Sequence, residues 1–284
     1  MTAPEIVFAA PRSLADALAE LAAGDEALAL AGGTALGLLL RHRLIESAKI
    51  VSLARVAELS GIGQGDGGGL RIGAMTTLRE CAASAAVRAH APLLAYAASL
   101  VGNPRVRAVA TIGGALAHSD PRQDLPPVLL ALGARVRLVT SSGSREVPLA
   151  GFFQGFMETA LSEGELIQEV TIPALARRRF SYRRFAPGSQ DDFPAVAVAA
   201  SLLLADDGTV EEAAIAVGAG GTHARIAGEA GALLAGKRPS PADLDSVADA
   251  VAVSSAPVSD RHGDASYKQD MIRVSTRRAL ADCL

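Results

Sequence analysis

Cysteine is scarce in this sequence, and its scarcity excludes several kinds of site. The two cysteines, Cys81 and Cys283, are too few for an iron–sulfur cluster held by four cysteines of this chain, for a cysteine-rich zinc site or for a disulfide scaffold. So few cysteines are typical of a reducing compartment. We therefore expect a cytoplasmic protein without disulfides.

Long apolar runs and an excess of basic charge are also missing. No apolar stretch approaches the ~20 residues needed to cross a bilayer, and the first residues do not show the basic and apolar pattern of a secretory signal. Lys and Arg number 27 against 30 Asp and Glu, which argues against a protein held to nucleic acid by phosphate contacts. The expectation is a protein with no transmembrane segment and no nucleic-acid partner.

The remaining composition is that of a folded globular protein. Half of the 284 residues are hydrophobic and 20% are charged, which suits one large or two modest domains. Pro173 and the basic run at 177–179 interrupt the pattern of regular elements. We place a domain boundary there, with domains at 1–176 and 177–284.

Hydrophobic periodicity predicts a mixed arrangement of helices and strands in the first half. The segment at 61–69 contains a GxGxxG pattern, but an alternating strand follows it instead of a helix, so a hairpin tip is the better interpretation. A second hairpin is predicted around 141–144. The predicted helices are 13–23 (capped by Ser13 and ended by Gly24), the segment after Thr34, 77–86, 91–101 and a helix opening near Asp124; the predicted strands are 27–30, 49–53 and 166–173.

The second half reads as an antiparallel sheet backed by helices. Two apolar strands are joined by Asp206-Asp207-Gly208, which is a strong hairpin signal. Helices are predicted at about 222–235, 241–252 and 264–281.

Two paired-glycine segments are the first candidates for chemistry. Ala31-Gly32-Gly33-Thr34 follows a strand, and Thr111-Ile112-Gly113-Gly114 comes later in the chain. Adjacent glycines let a backbone approach a ligand and can turn consecutive N–H groups toward an anion. The alternative for each segment is a tight turn. Since no G-x-x-x-x-G-K-[ST] motif is present, the pair favours a retained diphosphate cofactor over a hydrolysed triphosphate.

Other candidate residues carry weaker signals. Asp124 suits either the polar edge of a ring or sugar, or a helix N-cap. Phe193 could stack on a flat ring or begin a core strand. The arginines at 177–179 and 183–184 suit a phosphate, an acidic partner or a solvated strand edge. His118 is expected in a solvated loop and Cys81 in the core. No G-x-S-x-G or metal-binding histidine spacing occurs, and no catalytic or metal-ligating residue is predicted.

Four motifs in order resemble one known family. They are AGGTAL at 31–36, TIGGALAHSDPRQDLPPVLLALGA at 111–134, GFFQGFMETALSEGELIQEVTIP at 151–173 and SDRHGDASYKQDMIRVSTRRAL at 259–280. The family is that of the FAD-binding medium subunits of molybdenum hydroxylases, such as carbon-monoxide and xanthine dehydrogenases. The resemblance spans nearly the whole chain.

The resemblance implies a fold and a cofactor. The fold is α+β, with a two-lobed FAD-binding domain of the vanillyl-alcohol-oxidase type and a smaller C-terminal antiparallel sheet with helices. The positions that match FAD contacts of the family are Ala29, Leu30, Ala31, Gly32, Gly33, Thr34, Ala35, Leu36, Val101, Thr111, Ile112, Gly113, Gly114, Ala115, Asp124, Ile167, Arg184, Asp192 and Phe193.

The resemblance also implies partners. A small subunit with iron–sulfur clusters and a large subunit with the molybdenum cofactor would join this chain in a dimer of heterotrimers, and the flavin would reduce an external acceptor. The chain departs from the family at Ala35 and Ala115, where side-chain hydrogen bonds to the cofactor are lost, and at Arg184, where Lys is common. Two alternatives are a self-contained FAD-dependent oxidoreductase of the same fold and a binding module that has lost FAD.

Overall fold

A computed structural model describes residues 6–23, 26–175, 177–189 and 191–284 of the chain. In the described residues the helices are α1 (Leu14–Ala22), α2 (Leu36–Arg41), α3 (Leu78–Ala83), α4 (Ala85–His90), α5 (Pro92–Leu100), α6 (Pro104–Arg107), α7 (Ile112–His118), α8 (Leu125–Ala131), α9 (Gly228–Ala232), α10 (Pro241–Ser254) and α11 (Ala265–Cys283).

The strands of the same residues form four sheets. They are β1 (Val7–Ala9), β2 (Ala27–Leu30), β3 (Lys49–Ser52), β4 (Ile62–Gln64), β5 (Leu70–Gly73), β6 (Arg135–Thr140), β7 (Gly143–Pro148), β8 (Phe153–Gly155), β9 (Glu158–Thr159), β10 (Leu166–Ile172), β11 (Arg178–Phe185), β12 (Val196–Leu204), β13 (Val210–Gly218) and β14 (Arg225–Ile226).

The first sheet is parallel, in the order β1-β3-β2. Helix α1 buries Leu18 and Leu21 against it, and the Ser13 hydroxyl accepts a hydrogen bond from the Asp16 N–H at its start. The helix ends at Ala22, and Gly24, predicted to stop it, lies outside the described residues. Helix α2 follows β2 but buries none of its side chains, so its packing against the rest of the chain is slight.

The second sheet has the order β4-β5-β10-β6-β7 and is antiparallel. Both hairpins predicted in this region, at 61–69 and around 141–144, are present. The predicted helix at 77–86 is wrong in extent, because Ser84 has extended backbone and its hydroxyl caps a separate helix, α4. The predicted helix at 91–101 is present as α5. Pro92 then begins α5, where its missing N–H costs nothing.

The third sheet, β11-β12-β13-β14, is antiparallel and is covered by α10 and α11. The Asp206-Asp207-Gly208 turn joins β12 to β13 as predicted. The predicted helix at 222–235 is mostly wrong. Arg225 and Ile226 instead pair with β13, and the helix that follows is only the short α9. Longer helices cover the sheet near the predicted 241–252 and 264–281.

The two halves share a hydrophobic core through α8. Apolar residues of β12 and β13 join the core built by α3, α5, α7 and α8. The loop before α8 is bound directly to the third sheet, since Ala219 N–H donates to the Pro121 carbonyl oxygen at 2.6 Å. This loop, residues 119–124, therefore lies where the two halves of the chain meet. Residue 176, at the expected domain boundary, lies outside the described residues, and the boundary stays a prediction.

No helix of the described residues combines the length and apolar character that crossing a bilayer requires.

Candidate functional site

The structure brings the two paired-glycine segments together. A Cβ atom added to Gly32 would lie 2.6 Å from the carbonyl carbon of Val109 and nearer still to its oxygen. A Cβ atom added to Gly114 would lie 3.2 Å from the Ala31 side chain. The loop after β2 and the start of α7 are therefore in contact, although 80 positions separate them along the chain. Of the predicted site residues, 31–36 and 111–115 gather here.

The loop from Ala31 to Ala35 carries backbone donors without acceptors. In the described part of the chain, none of these five N–H groups donates a hydrogen bond. Gly33 has a φ of +71°, in the left-handed region that glycine adopts at little cost. Backbone N–H groups that are shielded from water need partners, and this loop is only half-exposed. Consecutive unpaired N–H groups form the type of concavity that binds phosphate groups.

The second segment behaves differently. Its predicted Gly-Gly turn is wrong, because Gly113 and Gly114 lie in the first turn of α7, capped by the Thr111 side chain. All four N–H groups from Ile112 to Ala115 already donate to protein acceptors, so the predicted anion nest is wrong here as well. Gly113 serves close packing, since a Cβ there would lie 2.5 Å from the Ala74 side chain. This segment supports the loop without offering free donors.

Asp124 is a buried carboxylate and not a helix cap. Its side chain caps no N–H of α8, so the predicted capping role is wrong. Only 3% of the residue is exposed. Oδ1 accepts hydrogen bonds from the Tyr182 hydroxyl at 2.6 Å and from Arg184 Nε at 2.7 Å. Burial raises the pKa of Asp124, while the Arg184 charge and both hydrogen bonds act in the opposite direction.

Arg184 continues the same network toward Asp192. Its Nη2 donates to the Asp192 carbonyl oxygen, and the Asp192 carboxylate accepts from the Ser189 N–H at 3.2 Å. Asp124, Arg184 and Asp192, predicted from separate motifs, thus form one connected group. Both carboxylates of this group accept hydrogen bonds from donors of the protein itself.

Phe193 does not begin a core strand, as one interpretation predicted, because β12 starts at Val196 and Phe193 is 42% exposed. Its stacking on a flat ring stays a prediction. The Arg122 guanidinium lies 4.9 Å from its ring centroid, a cation–π arrangement. Arg122 is itself held by Asp120, which accepts from its Nε at 3.0 Å and its Nη2 at 2.8 Å.

The remaining predicted contacts lie at element ends and in the core. Val101 is half-buried after α5, and its carbonyl oxygen accepts from Arg107 Nη1 at 3.0 Å. Ile167 is buried in β10 beside a bulge, where the Gln168 carbonyl oxygen accepts from the Ala74 N–H. Ala29 and Leu30 form the end of β2, and Leu36 begins α2.

One further prediction needs correction. His118 is half-buried at the end of α7 instead of lying in a solvated loop, and burial lowers its pKa. The arginines at 177–179 and 183–184 lie in or beside β11, the edge strand of the third sheet, and Arg177, Arg179 and Arg183 are exposed, as the solvated strand-edge interpretation predicts. Each of the five also binds an acceptor of the same chain. Cys81 is buried as predicted, and burial raises its pKa to about 12.

Sequence reasoning missed Tyr182. Within β11, Tyr182 and Arg184 are two positions apart, so they share one face of the strand, and that face meets Asp124. The available signal was the alternation of side chains between the two faces of a strand in RRFSYRRF at 178–185. The four arginines of this segment make that alternation hard to recognise. Asp120 was also missed, and no pattern around it points to its bond with Arg122.

Comparison with known proteins explains this geometry. Residues 4–175 match the family described as the FAD binding domain in molybdopterin dehydrogenase, and residues 181–283 match the CO dehydrogenase flavoprotein C-terminal domain. The chain belongs to the family of FAD-binding medium subunits of molybdenum hydroxylases. The resemblance seen in the sequence is therefore confirmed.

Individual relatives agree over the full length. The carbon monoxide dehydrogenase medium chain of Hydrogenophaga pseudoflava is 35% identical over 99% of this chain and 97% of its own length. The glyceraldehyde dehydrogenase medium chain of Sulfolobus acidocaldarius is 30% identical over 99% of both chains.

Solved structures show the same fold. The carbon monoxide dehydrogenase of Hydrogenophaga pseudoflava superposes with a TM-score of 0.94 at 34% identity, covering 100% of this chain and 98% of that one. Quinoline 2-oxidoreductase of Pseudomonas putida 86 has a TM-score of 0.92 at 31% identity, with the same coverage. The predicted α+β fold and the assignment to an oxidoreductase complex are confirmed.

The residues present fit the FAD of this medium-subunit family. The five N–H groups of the loop from Ala31 to Ala35 remain available to a diphosphate, and the absence of polar side chains at Ala35 and Ala115 removes none of them. Gln123 Oε1, next in the chain to Asp124, is buried without a hydrogen-bond partner among the described residues. An acceptor without a donor suits the hydroxyl and N–H groups of such a cofactor.

Proposed function

We propose that this medium subunit is the electron-transfer flavoprotein of its complex. It would receive electrons from an iron–sulfur subunit and pass them to an external acceptor, while a large subunit with the molybdenum cofactor acts on the organic substrate. The observation that carries the proposal is the row of N–H groups from Ala31 to Ala35, which find no acceptor among the described residues and would suit the cofactor diphosphate.

The site residues divide into four roles in this proposal. The loop from Ala29 to Leu36 binds the diphosphate, and the segment from Thr111 to Ala115 supports that loop from behind. Asp124 supplies a polar contact. Val101 and Ile167 supply apolar contacts, with Phe193 beside the flavin ring. Arg184 and Asp192 complete the polar side of the site.

Bound FAD supplies the redox chemistry, since a flavin can exchange electrons one or two at a time. The chain's own residues bind, orient and shield it. Within the described residues, no three His, Cys, Asp or Glu side chains are grouped to hold a metal ion. We further expect a cytoplasmic complex that contains two heterotrimers.

The test is a spectrum of the complex purified through a tag on this chain, with metal analysis of the same sample. The proposal expects flavin and iron–sulfur absorbance together with molybdenum, and flavin bleaching by a substrate only when the partner subunits are present. Flavin bleached by a small substrate in this chain alone would instead identify a self-contained oxidoreductase. Pure chain without flavin, which cannot be loaded with FAD, would identify a site that has lost its cofactor.

A further inference from the structure

The Asp124 carboxylate is held from the other half of the chain. Asp124 lies in the segment that matches the FAD-binding family, whereas Tyr182 and Arg184 lie in the segment that matches the C-terminal family. Both donors reach the same oxygen, Oδ1, at 2.6 and 2.7 Å. The arrangement is buried, with 10% of the Arg184 side chain exposed and 4% of the Asp124 side chain.

The second oxygen of Asp124 is left free. Among the described residues, no donor forms a hydrogen bond to Oδ2. Oδ2 is also not completely enclosed by protein atoms. A carboxylate oxygen is a strong acceptor with two lone pairs. An almost buried carboxylate that saturates one oxygen and leaves the other accessible is arranged to accept a hydrogen bond from a ligand.

The two donors also fix the direction of the free oxygen. Tyr182 and Arg184 project from one face of β11, which is paired along its whole length with β12. A hydroxyl and a guanidinium that converge on one oxygen from a rigid strand restrict rotation of the carboxylate. Buried groups bound in this way are the means by which protein sites hold ligand-binding atoms in place.

We propose that Tyr182 is a positioning residue for FAD: by binding Oδ1 of Asp124, together with Arg184, it reserves Oδ2 for the cofactor. Tyr182, in the C-terminal half, thus contributes to FAD affinity without touching FAD. This inference rests on the proposed function, in which Asp124 contacts the cofactor.

The test is a double-mutant cycle on FAD binding by the full-length chain. Tyr182→Phe removes only the hydroxyl, and Asp124→Asn removes the group through which it acts. FAD is titrated into deflavinated protein, and its fluorescence quenching gives the Kd. We expect Y182F to raise the Kd about tenfold, as loss of one hydrogen bond to a charged group does, and to change it by less than about twofold when D124N is already present.

Controls separate positioning from folding. Tyr96→Phe removes the hydroxyl of a neighbouring tyrosine that makes no hydrogen bond to Asp124, and should leave the Kd unchanged. Urea unfolding of each apoprotein reports stability independently of FAD. Should Y182F fold poorly, Arg184→Lys serves as the second probe. It keeps the charge and loses the Nε donor to Oδ1, and it should raise the Kd by a smaller factor when D124N is already present than when Asp124 is intact.

Two results would overturn the inference, and a third would concern the function instead. Equal FAD affinity of Y182F and wild type refutes it, as does the same loss in the presence and absence of D124N, since the effect would then not pass through Asp124. Wild-type protein that binds no FAD contradicts the proposed function itself. The two failures are therefore distinguishable in one experiment.

Discussion

Replacement of Gly32 by alanine should abolish tight FAD binding while the rest of the fold persists. The added Cβ would lie 2.6 Å from the Val109 carbonyl carbon and 3.0 Å from the Ala110 Cα atom. Both neighbours are backbone atoms, so neither can rotate away. The loop must therefore move by roughly half an ångström or more, because non-bonded carbon atoms pack at about 3.5–4 Å. That displacement moves the donor row relative to its ligand.

The size of the effect follows from the donors that move. A hydrogen bond to a charged group contributes about 1.5–3 kcal/mol, so the loss of one or two of them costs about 1.5–6 kcal/mol. This corresponds to a Kd that is roughly tenfold higher or more. The Kd is measured by FAD titration of the deflavinated chain, with the flavin content of freshly purified protein as a second readout.

Gly37 provides the matched control. A Cβ there meets no atom within 4 Å, and the residue lies inside α2, where alanine is favoured over glycine by about 0.5–1 kcal/mol. Gly37→Ala should bind FAD as wild type does and be slightly more stable. If Gly32→Ala binds FAD within threefold of wild type, the loop from Ala31 to Ala35 does not hold the cofactor, and the reasoning is refuted.

Three other predictions concern buried polar groups. Lys268 is 2% exposed and its Nζ lies 2.8 Å from Asp260, so Asp260→Asn should lower the free energy of unfolding by about 3 kcal/mol and Lys268→Met by much less; urea titrations that rank them in the reverse order would contradict this. Burial raises the pKa of Cys81 and Cys283 to about 12, so neither should react with a thiol reagent at pH 8 until the chain unfolds; rapid reaction of native protein would be contrary evidence. Burial lowers the pKa of His118 below 6.5. As pH decreases through 6.5 toward the pKa of the folded state, His118 is therefore protonated first in the unfolded chain, and the stability of the fold decreases. His118→Gln should flatten this pH dependence of the melting temperature, and an unchanged slope would exclude the effect.

Most strands and their hairpins could be predicted because their signals are local. Alternation identified β5, the turn around 141–144 identified the pairing of β6 with β7, and the Asp206-Asp207-Gly208 turn identified the pairing of β12 with β13. Turn chemistry and period-two burial are properties of a few consecutive residues. Helix lengths were less accessible, because Ser84 could equally continue one helix or cap the next.

The candidate site could be predicted only in part. The first paired-glycine loop was recognised because its signal, two adjacent glycines directly after a strand, lies within a few consecutive residues. The second was misinterpreted as a turn, although contact with Ala74 and capping by Thr111 stabilise Gly113 and Gly114 within a helix. Such tertiary contacts override helix propensity.

The role of Asp124 was hidden for a similar reason. Its partner Tyr182 is 58 positions away, and no local pattern connects the two. The free oxygen that makes Asp124 a candidate ligand contact becomes visible only when the donors of Oδ1 are known.

The central claim, that this medium subunit binds FAD through its own residues, is tested most directly by the flavin content of this chain. The complex is purified, the subunits are separated under conditions that retain the flavin, and the FAD released by acid is measured against the amount of this chain. The account predicts equimolar FAD with this chain and none with the other subunits. FAD recovered from another subunit, or a chain that neither carries FAD nor takes it up, would contradict it.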